Sequence, residues 1–86
     1  MSDLNKIRTK VDKIDTQILT LIKKRLDLVV KIGQIKKANN LNVRDLKRER
    51  EVMEKITLKA AVIGLSPLFV KKLWQLIFKQ SYKIES

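Results

Sequence analysis

An all-α fold of three helices, one long and two of medium length, is what this sequence predicts. Three observations carry that expectation. Apolar residues recur at steps of three and four along most of the chain, no stretch alternates with the period of two expected of a half-buried strand, and turn signals interrupt the pattern at only two places. With two Gly, one Pro and 86 residues, the chain is long enough for one small domain, 1–86, and too short for two.

The first segment runs from about Asp3 to about Asn39. Leu4, Ile7, Val11, Ile14, Ile18, Leu21, Leu28, Ile32 and Ile35 form a seam of the coiled-coil type, with one gap. At about 1.5 Å per residue this helix is roughly 54 Å long, whereas a compact 86-residue globule has a radius of gyration near 12 Å. One chain cannot cover such a helix, so the default assembly is a homodimer.

Asn39, Asn40 and Asn42 mark the first turn. Asp45 then caps or starts a second helix that continues to about Ile63, with Gly64 as its stop and Leu65 packing behind it. Val52, Met53, Ile56 and Ala60 supply its core stripe. Ser66-Pro67 is a strong start signal, a capping hydroxyl followed by proline at the first helical position, and the third helix runs from there to the chain end. Leu68, Phe69, Leu73, Leu76, Ile77 and Ile84 repeat along it at helical spacing.

Composition removes several classes of chemistry. There is no Cys and no His, which excludes disulfides, thiolate or imidazole metal sites, a Cys nucleophile and a Ser-His-Asp triad. No apolar run approaches the roughly 18 residues that a bilayer span needs, and the first ten residues contain no secretory core, so a soluble, cytoplasmic protein is expected. Twenty Lys and Arg against nine Asp and Glu give a net charge of +11, which points to an anionic partner or to well-solvated helix faces.

The gap in the seam is Arg25. A guanidinium buried there without a partner would cost several kcal/mol, so it requires an anion. An ion pair within a dimer, or a snorkelling side chain, would satisfy a lone seam arginine. Lys36, however, lies eleven positions on, about three turns plus 20°, so both cations leave the same face about 16 Å apart. Gly33, costly inside a helix by about 1 kcal/mol, clears space beside them. Two cations over a small residue in an apolar seam form a pocket for a small anion.

Asp45, Arg48 and Glu49 share a face at the start of the second helix, an arrangement that alone is usually a solvated salt-bridge cluster. Trp74, Phe78 and Tyr82 follow at intervals of four and read as core or seam before they read as base-stacking residues. Ser81 and Glu85, also four apart, present a hydroxyl and a carboxyl on one face.

With its long-short-short helices and Arg8, Arg25, Lys36, Asp45, Arg48, Glu49 and Ser81 in that order, the chain closely resembles the all-helical chorismate mutases. The likeness covers almost the whole length. It is most telling at Gly33-Gln34-Ile35-Lys36, Val43-Arg44-Asp45 and Arg48-Glu49-Arg50. It implies an intertwined homodimer with two equivalent sites, each taking one arginine from the other chain's long helix. Helix geometry is consistent with that: Arg8 and Arg25 are seventeen residues, about 26 Å, apart on one rod, so one small ligand cannot touch both within a chain.

The activity implied is the pericyclic rearrangement of chorismate, a dicarboxylate, to prephenate in aromatic amino-acid biosynthesis, with no cofactor and no metal. By the family's pattern, Arg25 and the partner chain's Arg8 clamp the carboxylates and Lys36 donates to the ether oxygen. Asp45 and Glu49 hold the ring hydroxyl, Arg48 borders the ring and Ser81 reaches a carboxylate. Ile32, Phe78 and Tyr82 wall the pocket. Glu85 falls where relatives carry Gln or Glu as a second donor to the ether oxygen, and a carboxyl donates only when protonated. The same fold also supports pyruvate elimination from isochorismate. From a different class, a basic helical nucleic-acid binder would gather its cations on one outer face, whereas Lys23, Lys24, Lys31, Lys37, Lys71, Lys72 and Lys79 scatter, so nucleic acid is not an expected partner.

Overall fold

The computed structural model describes residues 2–86, so Met1, where the expected domain begins, lies outside the described residues. Three helices follow in order: α1 (Ser2–Ala38), α2 (Leu46–Val62) and α3 (Pro67–Glu85). No strand occurs among the described residues, and no helix there is long and apolar enough to cross a membrane.

Each boundary has a local cause. α1 stops at Asn40, whose φ of 54° is tolerated by an asparagine, and the Leu41 and Asn40 amides return to the carbonyls of Lys36 and Lys37. α2 stops in the same way at Gly64, with φ of 80°, where the Leu65 amide donates to the Ala60 carbonyl at 2.8 Å. Asp45 caps α2 by accepting from the Arg48 amide at 3.0 Å, and Ser66 caps α3 by accepting from the Phe69 amide at 3.2 Å.

α3 packs on both α1 and α2, which do not contact each other. Gly33 meets Glu85, and Arg25 meets Ser81, so the contacts ascend together and α3 runs alongside α1 in the same direction. α2 returns antiparallel between them in sequence. The buried residues are few: Val29 and Gly33 on α1, Ala60 on α2, Val70 and Ser81 on α3. Val52, Met53 and Ile56 of the expected α2 stripe are half-buried, while Val70 lies outside the set that spacing alone picks from α3.

The long seam of α1 mostly faces away from its own chain. Ile7, Val11, Ile14, Ile18, Leu21, Leu28, Ile32 and Ile35 are all exposed, whereas the face turned to α3 is offset from the seam, through Leu26, Val29 and Gly33. α1 thus has two apolar faces, and the chain satisfies only the narrower one. The dimensions agree: 57 × 24 × 15 Å, with a radius of gyration of 16.4 Å against about 12 Å for a compact chain of this length. The accessible surface of 7428 Å² exceeds by roughly 2,000 Å² the value expected of a compact 10.0 kDa monomer.

Candidate active site

Where the C-terminal half of α1, the start of α2 and the end of α3 converge, they enclose a cavity of about 400 Å³. That is within the range of small-molecule sites. Seven of the eight candidate site residues line it: Arg25, Lys36, Asp45, Arg48, Glu49, Ser81 and Glu85. Ile32, Phe78 and Tyr82 line it as well. Arg8 does not. It sits exposed on the projecting half of α1, as the length of one rigid helix requires.

Arg25 is half-buried and forms no ion pair among the described residues. Its Nη1 donates to the Ser81 hydroxyl at 3.0 Å, and that hydroxyl in turn donates to the Ile77 carbonyl at 2.8 Å. The Ser81 proton is therefore committed to the backbone, and its oxygen steers the guanidinium rather than offering a free donor. Burial, and then the neighbouring Arg48, hold the Arg25 pKa below its ordinary value. A guanidinium stays charged regardless, so Arg25 brings an unneutralised cation to the cavity wall.

Lys36 is held from two sides. Its Nζ donates to the Val43 carbonyl and stands 2.6 Å from Glu85 Oε1. The Glu85 side chain is only 4 % exposed, although Glu85 is the last helical residue, and its Oε1 is a charge contact without a well-directed hydrogen bond. Gly33 makes this possible: a Cβ there would stand 3.1 Å from the Glu85 Cα. The space that glycine clears is thus filled by the end of α3. An ammonium has three N–H groups, and Val43 takes one of them, which leaves donor capacity for the cavity beside the Glu85 charge contact.

Across the cavity the α2 cap supplies the opposite charge. Asp45 spends one carboxylate oxygen on the Arg48 amide, and Glu49 makes a loose pair with Arg44, Nε to Oε2 3.6 Å. Arg48 reaches outward to Glu51 at 3.8 Å, a contact at the exposed rim. The backbone carbonyl of Val43 carries no residue-type signature, and spacing alone could not have named it as a Lys36 partner. The arrangement is an open-sided, mostly apolar chamber with a guanidinium that has no carboxylate partner among the described residues at one side and a positioned ammonium at the other. It can bind a small organic anion and stabilise negative charge developing between the two cations.

An all-helical domain with a polar anion site among its three helices is the class so defined. A family model described as chorismate mutase type II matches residues 7–86, and the chain belongs to that family. It is 35% identical over 80 residues to a bifunctional chorismate mutase/prephenate dehydratase of Buchnera aphidicola (subsp. Schizaphis graminum), covering 93% of this chain and 21% of that protein. The corresponding Escherichia coli K12 protein is 31% identical over 75 residues, 87% of this chain and 19% of that one. A T-protein of Enterobacter agglomerans is 26% identical over the full 86 residues and 23% of its own length. The chain thus spans about a fifth of the curated relatives it matches. A solved structure, a conserved hypothetical protein from Pyrococcus furiosus, superposes with a TM-score of 0.76 at 32% identity, covering 100% of this chain and 99% of that one.

Proposed function

We propose that this chain is a chorismate mutase acting in the cytoplasm in aromatic amino-acid biosynthesis, converting chorismate to prephenate at two sites of a homodimer. The observation that carries this is Arg25: a half-buried cation on the wall of a partly open chamber, held by a hydroxyl and without an anion among the described residues. A carboxylate of the substrate supplies that anion, with the partner chain's Arg8 on the second carboxylate. The roughly 2,000 Å² of excess surface and the outward seam of α1 support the dimer, because an obligate interface is of that size or larger.

The reaction breaks a C–O bond while a C–C bond forms, within one molecule. The protein has to restrict the conformer and stabilise charge on the departing oxygen. The arginines fix the diaxial chair-like form by bidentate contacts, and the free N–H of Lys36 donates to the ether oxygen. Glu85, beside Lys36, donates to the same oxygen when protonated. Glu49 and the Asp45 cap receive the ring hydroxyl, Arg48 borders the ring, Ser81 holds Arg25, and Ile32 and Phe78 close the apolar sides.

The test is a chorismate-to-prephenate assay on wild type and Arg25→Ala. A folded Arg25→Ala protein with activity lowered on the order of 100-fold or more supports the proposal. Activity lost only in proportion to unfolding counts against it. Release of salicylate and pyruvate from isochorismate, with no prephenate from chorismate, would replace it with the lyase reading. Tight, steeply salt-dependent nucleic-acid binding without either activity would point to a binding module.

A further inference from the structure

We infer that Tyr82 is a positioning residue that sets both polar ends of the chamber, its ring carrying the Lys36 ammonium and its phenol holding the Glu49 carboxylate toward the ligand. The inference rests on the mutase reading and adds to it a residue that otherwise only walls the pocket. Four observations converge. The Lys36 Nζ lies 5.8 Å from the Tyr82 ring centroid, within cation–π range. Tyr82 and Glu49 both line the main chamber and also a second cavity of about 350 Å³ on its outer side, so with Phe78 they form the wall between the two. Arg44 and Lys79 line only that outer cavity, and the Arg44 pair with Glu49 is long at 3.6 Å. Finally, burial first, and then the negative charges of Glu49 and Glu85, raise the phenol's pKa against a lowering by the Asp45 backbone, which agrees with a phenol placed near Glu49.

These facts define a choice for Glu49. Turned outward it satisfies Arg44, and turned inward it meets the ligand. A neutral phenol is a donor, and Tyr82, on the wall between the two cavities, competes with Arg44 for that carboxylate. Lys36 faces a similar constraint. The Val43 carbonyl fixes one of its N–H directions, the Glu85 charge holds the ammonium nearby, and the Tyr82 ring limits where it can move. The charged groups facing Tyr82 are Lys36 from α1, Glu49 with Arg44 from the α2 entry, and Glu85 with Lys79 from α3 itself.

Two variants separate the two contacts. Tyr82→Phe keeps the ring and removes the donor, so KM for chorismate is expected to rise about three- to tenfold with kcat within about twofold. Tyr82→Leu removes both, and kcat is expected to fall about fivefold or more, with Tyr82→Phe restoring it. Because Tyr82 is the sole tyrosine, ultraviolet titration of the phenolate reads it without interference from another phenol. Its midpoint is expected above the ordinary tyrosine value and lower in Glu49→Gln. An unmoved midpoint in Glu49→Gln, or Phe and Leu variants that lose kcat together with helicity and show no KM split, overturns the inference. Wild type inactive on chorismate, with the midpoint still shifting, would remove the mutase reading and leave the Tyr82–Glu49 contact standing.

Discussion

The two halves of α1 carry the same sequence signal and meet different fates. From Ile22 onward the helix packs on α3, contributes Arg25 and Lys36 to the chamber, and buries Val29 and Gly33. Before Ile22 it carries the same apolar steps through Ile7, Val11, Ile14 and Ile18, all of them exposed. Periodicity therefore reports that a face will be covered without saying by which chain. In the occupied half the same polypeptide covers an offset face through Val29 and Gly33, while the seam residues Leu28, Ile32 and Ile35 stay as exposed as those of the free half.

The comparison breaks most decisively if the free half proves dispensable. Arg8→Ala and Arg25→Ala are each expected to lower activity about 100-fold or more, because each removes one clamp from every site. Unfolded and refolded together, the two proteins should recover about a quarter of wild-type activity. Half of the random dimers are then heterodimers, each with one site holding both arginines and one holding neither. A mixture no more active than its components would place Arg8 outside the site.

A smaller but more general effect is expected from a charge on the free seam. Ile14→Glu leaves the chamber-lining residues untouched, yet it should shift the protein toward monomer in light scattering and lower activity about tenfold or more at micromolar concentration. Retained dimer and retained activity would show that the seam is not the interface. The mildest prediction concerns the packed half alone. A carboxyl donates only when it carries a proton whereas an amide always donates, so Glu85→Gln should retain or raise activity at neutral pH. A Glu85→Gln protein clearly less active than wild type would leave Lys36 as the ether-oxygen donor.

Much of this was legible in the residues. Asp45, Gly64 and Ser66-Pro67 act locally, through caps that involve a few neighbouring amides, so the helix ends follow from the chain itself. The convergence of Arg25 and Lys36 on one chamber was also readable, because eleven residues nearly close three turns. The packing face of α1 was not. Spacing selects the broad seam, whereas α3 lies on the narrower face through Val29 and Gly33, a choice fixed by long-range packing. Gly33 itself was read as open space for a ligand, and it is instead where the backbone of Glu85 approaches. Which cation keeps its charge free also depends on tertiary placement: Glu85 comes to Lys36, and among the described residues no carboxylate comes to Arg25.

That last asymmetry makes the ligand part of the fold's own energetics. A half-buried guanidinium answered among the described residues by the Ser81 hydroxyl has exchanged water for a neutral partner, which costs stability relative to an apolar side chain at that position. An anion that binds the folded form and not the unfolded chain offsets this by mass action, about 2.7 kcal/mol at a hundredfold excess over its Kd. Any anion that takes the place beside Arg25 would thereby tie the chain's resistance to unfolding to that anion's own concentration.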